Sequence, residues 1–171
     1  MTDTLVLLDG GTLVPFSFDD MMRYHGPGSP GGVAHAFKVL ERVLPALGPD
    51  GPIERREITI RTAFAGPGAR DGFELVTRSV TEGRYVVDPS LADPARGPAL
   101  ERFVFCIGVG DVEVTAELQP GFVTEEFVTL VGAEARTDDE ERRLTGMKRE
   151  MARSVMVAPA SEVYGLRGPT G

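Results

Sequence analysis

The chain has 171 residues, with 42% hydrophobic and 26% charged side chains and a formal net charge of −8, the make-up of one globular domain large enough to bury a core. The acidic balance argues against a nucleic-acid or anionic-membrane surface, which needs clustered Lys and Arg, and the single cysteine, Cys106, excludes an internal disulfide and a thiolate zinc cage. The N-terminus has an acid at Asp3 and an apolar run of only four residues, unlike a signal peptide, and no stretch has membrane-span length; a cytoplasmic protein is expected.

Taken in order, TLVLLDGGTLVPF predicts two extended segments joined at Asp9-Gly10-Gly11. Ser17 can cap a short helix over FDDMMRYH, with Asp19 and Asp20 at its positive end and Gly26 as its stop. Ser29 and Pro30 open a longer helix, on which Val33, Phe37, Leu40, Leu44 and Leu47 form an apolar stripe that ends at Gly48. His35 falls on the other side of that helix with Lys38 and Arg42, as a solvated or subunit-facing residue. REITIRTAF alternates as a half-buried strand. AGPGARDGFELVTRSVTEG reads as a loop entering a helix with Phe73, Val76 and Val80 inward.

RYVVD then reads as a short strand and DPSLADPARGP as a loop. RFVFCIGVGDVEVTAEL reads as two strands turning around Gly108 to Asp111, with Cys106 packed in the sheet. VTEEFVTLV is a brief helix. Thr137 and Glu140 have capping-box spacing before a helix with stripe Leu144, Met147, Met151 and Val155, and Pro159 stops it. The order helix-strand-helix-three strands, then C-terminal helices, predicts an α+β fold with two layers, helices on a mixed, mostly antiparallel sheet. A single domain over 1–171 is expected, with an N-terminal extension at 1–15, a core at 16–120 and C-terminal helices at 121–171.

FDDMMRYHGPGSPGGVAHAF resembles the signature of the FmdE-like family, named for a component of formylmethanofuran dehydrogenase: a Phe-led short helix followed by His-Gly-His-x-Cys-Pro-Gly. ARDGFELVTRSVTEG resembles the family's second signature, Cys-x-x-Asp-Ala before a helix and a glycine, and PASEVYGL resembles its tail. The likeness runs from about Phe16 to Tyr164. In the family these signatures supply metal ligands. Here His25 and Asp71 are kept, but Pro27 stands at the second histidine, Ser29 at one cysteine and Gly68 at the other, so a thiolate-dependent site cannot be built from these positions. No cofactor is expected on that basis; a divalent metal held through His25 is the alternative. The resemblance also implies a homodimer.

The resemblance further implies that the two Gly-Pro-Gly loops converge, placing Tyr24, His25, Ser29, Arg70, Asp71 and Glu74 in one cleft, with Gly28 and Gly68 in its loops. Free N–H groups at two helix starts suit a carboxylate, enolate or phosphate oxygen. A histidine can exchange protons near neutral pH, and Asp71 can orient it or act as its acidic counterpart. The expected function is metal-independent acid/base chemistry on a small molecule, by a lyase, isomerase, dehydratase or cyclase acting on an organic acid or polyketide-like intermediate. The alternatives are a metal- or cofactor-binding accessory protein and a non-catalytic ligand-binding module. Each residue also has a plain structural use: His25 as a backbone partner, Asp71 as a first-turn acid, and the glycines as turn formers.

Overall fold

The computed structural model describes residues 4–170. Strands β1 (Thr4–Asp9) and β2 (Thr12–Ser17) form an antiparallel hairpin, turning on Gly10 and Gly11, both at positive φ, as the sequence predicts. Period-two alternation buries Leu5, Leu7 and Phe16 in the main core, so the first segment is built into the domain. Its turn is tied down as well: Glu54 accepts from the amides of Gly10 and Gly11 at 3.0 and 2.7 Å. Arg55 bridges Asp9 at 3.0 Å to the carbonyl of Val76 at 2.8 Å.

Helices α1 (Phe18–His25) and α2 (Pro30–Leu47) follow, then β3 (Ile58–Thr62) and α3 (Pro67–Thr77). Next come β4 (Tyr85–Val87), β5 (Val104–Val109) and β6 (Val112–Leu118), with β5 and β6 joined through Gly110 and Asp111. The chain continues through α4 (Glu125–Gly132), α5 (Asp138–Val157), the single turn α6 (Ala160–Val163) and β7 (Tyr164–Thr170). The five-stranded sheet has the order β4-β3-β5-β6-β7. Only β3 and β4 run parallel, giving the mixed, mostly antiparallel sheet expected.

One face of the sheet carries the helices and presents Ile58, Ile60, Phe105, Ile107, Val114, Ala116 and Leu118 to them, all fully buried. The other face is polar and is crossed by ion pairs from Arg61 to Glu113 at 3.2 Å and from Arg167 to Glu117 at 2.7 Å. Cys106 is buried within the sheet, near the Thr115 hydroxyl.

Three expectations are corrected. The helices do not close the chain: β7 pairs with β6 and becomes the sheet's edge. Its sequence, YGLRGPT, lacks the alternation that marks a strand and carries two glycines and a proline, which usually break one. Second, α3 stops at Thr77 and does not run on to Val80. Arg78 takes a left-handed φ of 59°, and the Thr77 hydroxyl donates to the Phe73 carbonyl at 2.7 Å, local bonding that competes with further helix. Third, His35 is neither solvated nor subunit-facing; it is fully buried, as is Lys38. The sheet, α3 and α5 surround α2, so the face that reads as polar is enclosed by elements from the end of the chain.

Candidate active site

The site begins with two helix ends. Ser17 and Asp20 form a reciprocal capping box that fixes the start of α1. Its last residue is His25, and Gly26 then takes a φ of 86°, a conformation that side-chain-bearing residues rarely adopt. The imidazole therefore sits where the chain turns out of α1 toward α2.

The partner comes from α3, which lies unusually close to α2. A Cβ on Gly68 would meet the Ser29 carbonyl oxygen at 2.4 Å, and one on Gly72 would meet the Ala36 Cβ at 2.9 Å. A Cβ on Gly32 of α2 would in turn lie 3.0 Å from the Ala69 nitrogen. The Gly-Pro-Gly entry to α3 thus makes a close helix crossing, in addition to forming a turn. Asp71 lies one helical turn beyond Gly68 and faces α1. Its Oδ2 is 2.8 Å from His25 Nδ1, across 46 positions of sequence.

Two side chains expected to share a void are therefore in direct contact. Only 9% of the His25 side chain and 24% of the Asp71 side chain is exposed. An ionised carboxylate can only accept, so Nδ1 carries the proton and Nε2 of the neutral ring keeps its lone pair. Nε2 is buried and has no hydrogen-bond partner among the described residues. Few polar side-chain atoms in a folded domain are left in that condition.

The other expected residues divide. Ser29 lies beside Gly68 and is the N-cap residue of α2, but its side chain makes no capping bond. Gly28 is exposed in the connecting loop. Arg70 is mostly exposed and touches Asp71 Oδ1 at 3.4 Å. Tyr24 lies on α1 with half its surface in solvent. Glu74 is not brought to the pair: its carboxylate accepts from the amides of Val80 and Thr81 at 2.7 and 3.0 Å and from the Thr81 hydroxyl, holding the loop after α3.

Lys148 of α5 joins the site without having been singled out by the sequence. It donates to the Gly28 carbonyl at 3.2 Å. The sequence contains a signal for it, since a charge there interrupts the spacing between Leu144 and Ala152. Two clefts lie elsewhere. One of about 460 Å³ runs between β1 and the end of α2, along Val6, Leu44, Pro45 and Ile53. One of about 290 Å³ lies on the polar sheet face, along Asp93, Arg96, Glu101 and Arg167. Among the described residues no group of three or more His, Cys, Asp or Glu is placed to hold a metal ion, and no helix is long and apolar enough to cross a membrane.

No protein-family model matches the chain, and a search of curated proteins returns no match.

Proposed function

We propose that this protein is a small-molecule enzyme using metal-independent acid/base chemistry, a lyase, isomerase, dehydratase or cyclase acting on an organic acid or polyketide-like intermediate. The observation that carries this reading is the 2.8 Å contact between His25 Nδ1 and Asp71 Oδ2, with Nε2 left unpartnered. Asp71 holds the ring in one tautomer and supports the imidazolium that forms when Nε2 takes a proton. The same nitrogen then returns that proton to a different atom of the substrate or to a leaving group. Nε2 is closed to water in the free protein, so substrate entry opens a path to it. That closure in turn shields an enolate from stray protonation.

The reading keeps the FmdE-like scaffold as its source, with the ligand positions lost, and takes the protein as a cytoplasmic homodimer. The lone cysteine suits a reducing compartment. The unpartnered Nε2 equally suits a metal-binding accessory protein, with His25 as one ligand and the others supplied by a second chain.

Proton exchange provides the test. The protein is incubated in D2O with a panel of 2-oxo acids and β-keto thioesters, and loss of the α-proton signal is followed by NMR. Wild type exchanges at least one of them, whereas H25Q and D71N do not, with both variants folded. Full exchange by H25Q sinks the proposal. Stoichiometric metal in untagged protein, lost in H25Q, selects the accessory reading.

A further inference from the structure

Tyr85 opens β4, the edge strand of the sheet beside β3. Its register partner is Ile60, which is fully buried on the face that carries the helices, so the phenol points to that face as well. There its ring packs on Phe73 of α3, with centroids 6.1 Å apart. The residue as a whole is half-buried, as befits the edge of the sheet.

Its hydroxyl oxygen is nevertheless buried and has no hydrogen-bond partner among the described residues. A tyrosine hydroxyl taken out of water normally finds one, and a buried hydroxyl left without one weakens the folded state. The ring's packing on Phe73 needs no oxygen, since phenylalanine would fill the same space. The fold carries this hydroxyl without using it.

The charge beside that oxygen is positive. Arg70 and Phe73 are three residues apart on α3 and share a face, so Arg70 stands one turn from the phenol ring, toward the start of the helix. Burial pushes the Tyr85 pKa up to about 12, and the Arg70 charge acts against that rise, as a cation near a phenolate does. The guanidiniums of Arg55 and Arg84 are occupied by carbonyls at the other end of α3, those of Leu75, Val76 and Thr77. The Arg70 end of the helix also holds Asp71, whose oxygens contact Arg70 at 3.4 Å and His25 at 2.8 Å. More than half of the Arg70 side chain is in solvent, and its contact with Asp71 is long, which leaves most of its N–H donors open to a ligand. An O–H donor without an acceptor and a cation with free donors therefore lie at the same end of α3. The group that satisfies both is an oxygen acceptor with negative charge.

We infer that Tyr85 is a substrate-binding residue: its hydroxyl donates to the carboxylate of an organic acid, and Arg70 balances that group's charge. This deepens the proposed function and rests on it for the kind of substrate, but it holds whether or not His25 moves a proton.

The experiment uses the full chain with its three tyrosines labelled with 13C at the carbon bearing the hydroxyl. It is titrated at constant ionic strength with pyruvate and with its neutral analogue pyruvamide. Pyruvate shifts the Tyr85 signal saturably and leaves that of the enclosed Tyr164 in place, and pyruvamide binds at least about tenfold more weakly. By calorimetry, Y85F binds pyruvate at least about tenfold more weakly than wild type, the loss expected for a hydrogen bond to a charged group. Its urea midpoint is unchanged or higher, because the free protein loses no hydrogen bond. R70M weakens binding at least as much, and R70K recovers part of it. Pyruvate that fails to saturate the signal, or that binds Y85F as tightly as wild type, overturns the inference. A lower urea midpoint for Y85F also overturns it, by showing that the hydroxyl already has a partner, such as a held water. Binding that depends on Tyr85 in a protein that exchanges no α-protons leaves this inference standing and removes the proposed function. Exchange by Y85F at wild-type rate and affinity, with H25Q inactive, does the reverse.

Discussion

His25 and His35 are ten residues apart, belong to consecutive helices and share an unusual property: each has a buried Nε2 without a partner among the described residues. Their Nδ1 atoms make bonds of the same length, 2.8 Å, to Asp71 in one case and to the Tyr164 hydroxyl in the other. The partners set them apart. A carboxylate supports a positive ring, while a phenol at the bottom of an apolar pocket offers no charge. His35 lies 4.9 Å from the Phe103 ring and is fully enclosed. Burial pushes its pKa down to about 3 and pushes the Tyr164 hydroxyl well above its ordinary value. One imidazole is bonded to a carboxylate, and the other is enclosed among uncharged groups and stays neutral. Neither residue type nor burial alone distinguishes a reactive imidazole from a structural one.

The sharpest way to break this contrast is to remove each dyad member. H25Q and D71N reduce proton-exchange turnover by about 10²–10⁴, the usual contribution of a positioned acid or base, while thermal melting changes little. A variant that unfolds, or retains full turnover, would make His25 a second structural histidine.

The largest stability effect belongs to His35. Its folded pKa lies below the unfolded value of 6.5, so the unfolded chain takes up the proton first. Its neutral-state stabilisation is complete above about pH 6.5 and is lost as pH falls toward 3. Between pH 7 and 4.5 this amounts to about 2–3 kcal/mol, read from urea midpoints, and H35Q flattens the profile over that range. Asp9, Asp20, Glu82 and Asp88, held low by arginines and by hydrogen bonds from Ser17 and Ser90, weaken only near and below their ordinary values of 3.8 for the aspartates and 4.5 for the glutamate. They leave the His35 window clear. An unchanged urea midpoint across that range would contradict the enclosed, neutral ring.

The helix crossing comes next. G68A places a methyl group against the Ser29 carbonyl and costs about 1–3 kcal/mol through overpacking. It also moves Asp71 away from His25, so exchange activity falls without either dyad residue being changed. Wild-type stability with wild-type activity would show that the close approach is unnecessary. The smallest effect comes from the two serines. S17A removes a capping box and costs about 1 kcal/mol. S29A, which removes no capping bond, costs only a few tenths. Calorimetry of both variants checks the difference.

Helix landmarks place His25 at a stop before Gly26 and Asp71 in the first turn after a Gly-Pro-Gly entry, but only the resemblance to the FmdE-like signatures brings the two positions together. The α+β order is legible directly, since caps and periodicity mark most of its elements. The burial of His35 is not, because the residues that enclose it are distant. Tyr164 opens β7, a strand whose Gly- and Pro-containing sequence announces nothing. The resemblance implies a cleft shared by Glu74 and Asp71, whereas α3 ends early and the Glu74 carboxylate turns back to the Val80 and Thr81 amides. Lys148 escapes notice because a charge within an apolar stripe is usually discounted as a snorkelling side chain.

The Tyr164 hydroxyl meets His35 across 129 positions of sequence, which has a consequence during synthesis. While the ribosome is still making α5, the centre of α2 has an imidazole without its phenol and β6 has an unpaired edge. The domain can close only after one of its last segments has emerged. A translation pause before residue 164 would leave this domain with its interior still open, at the stage when exposed edges most readily aggregate.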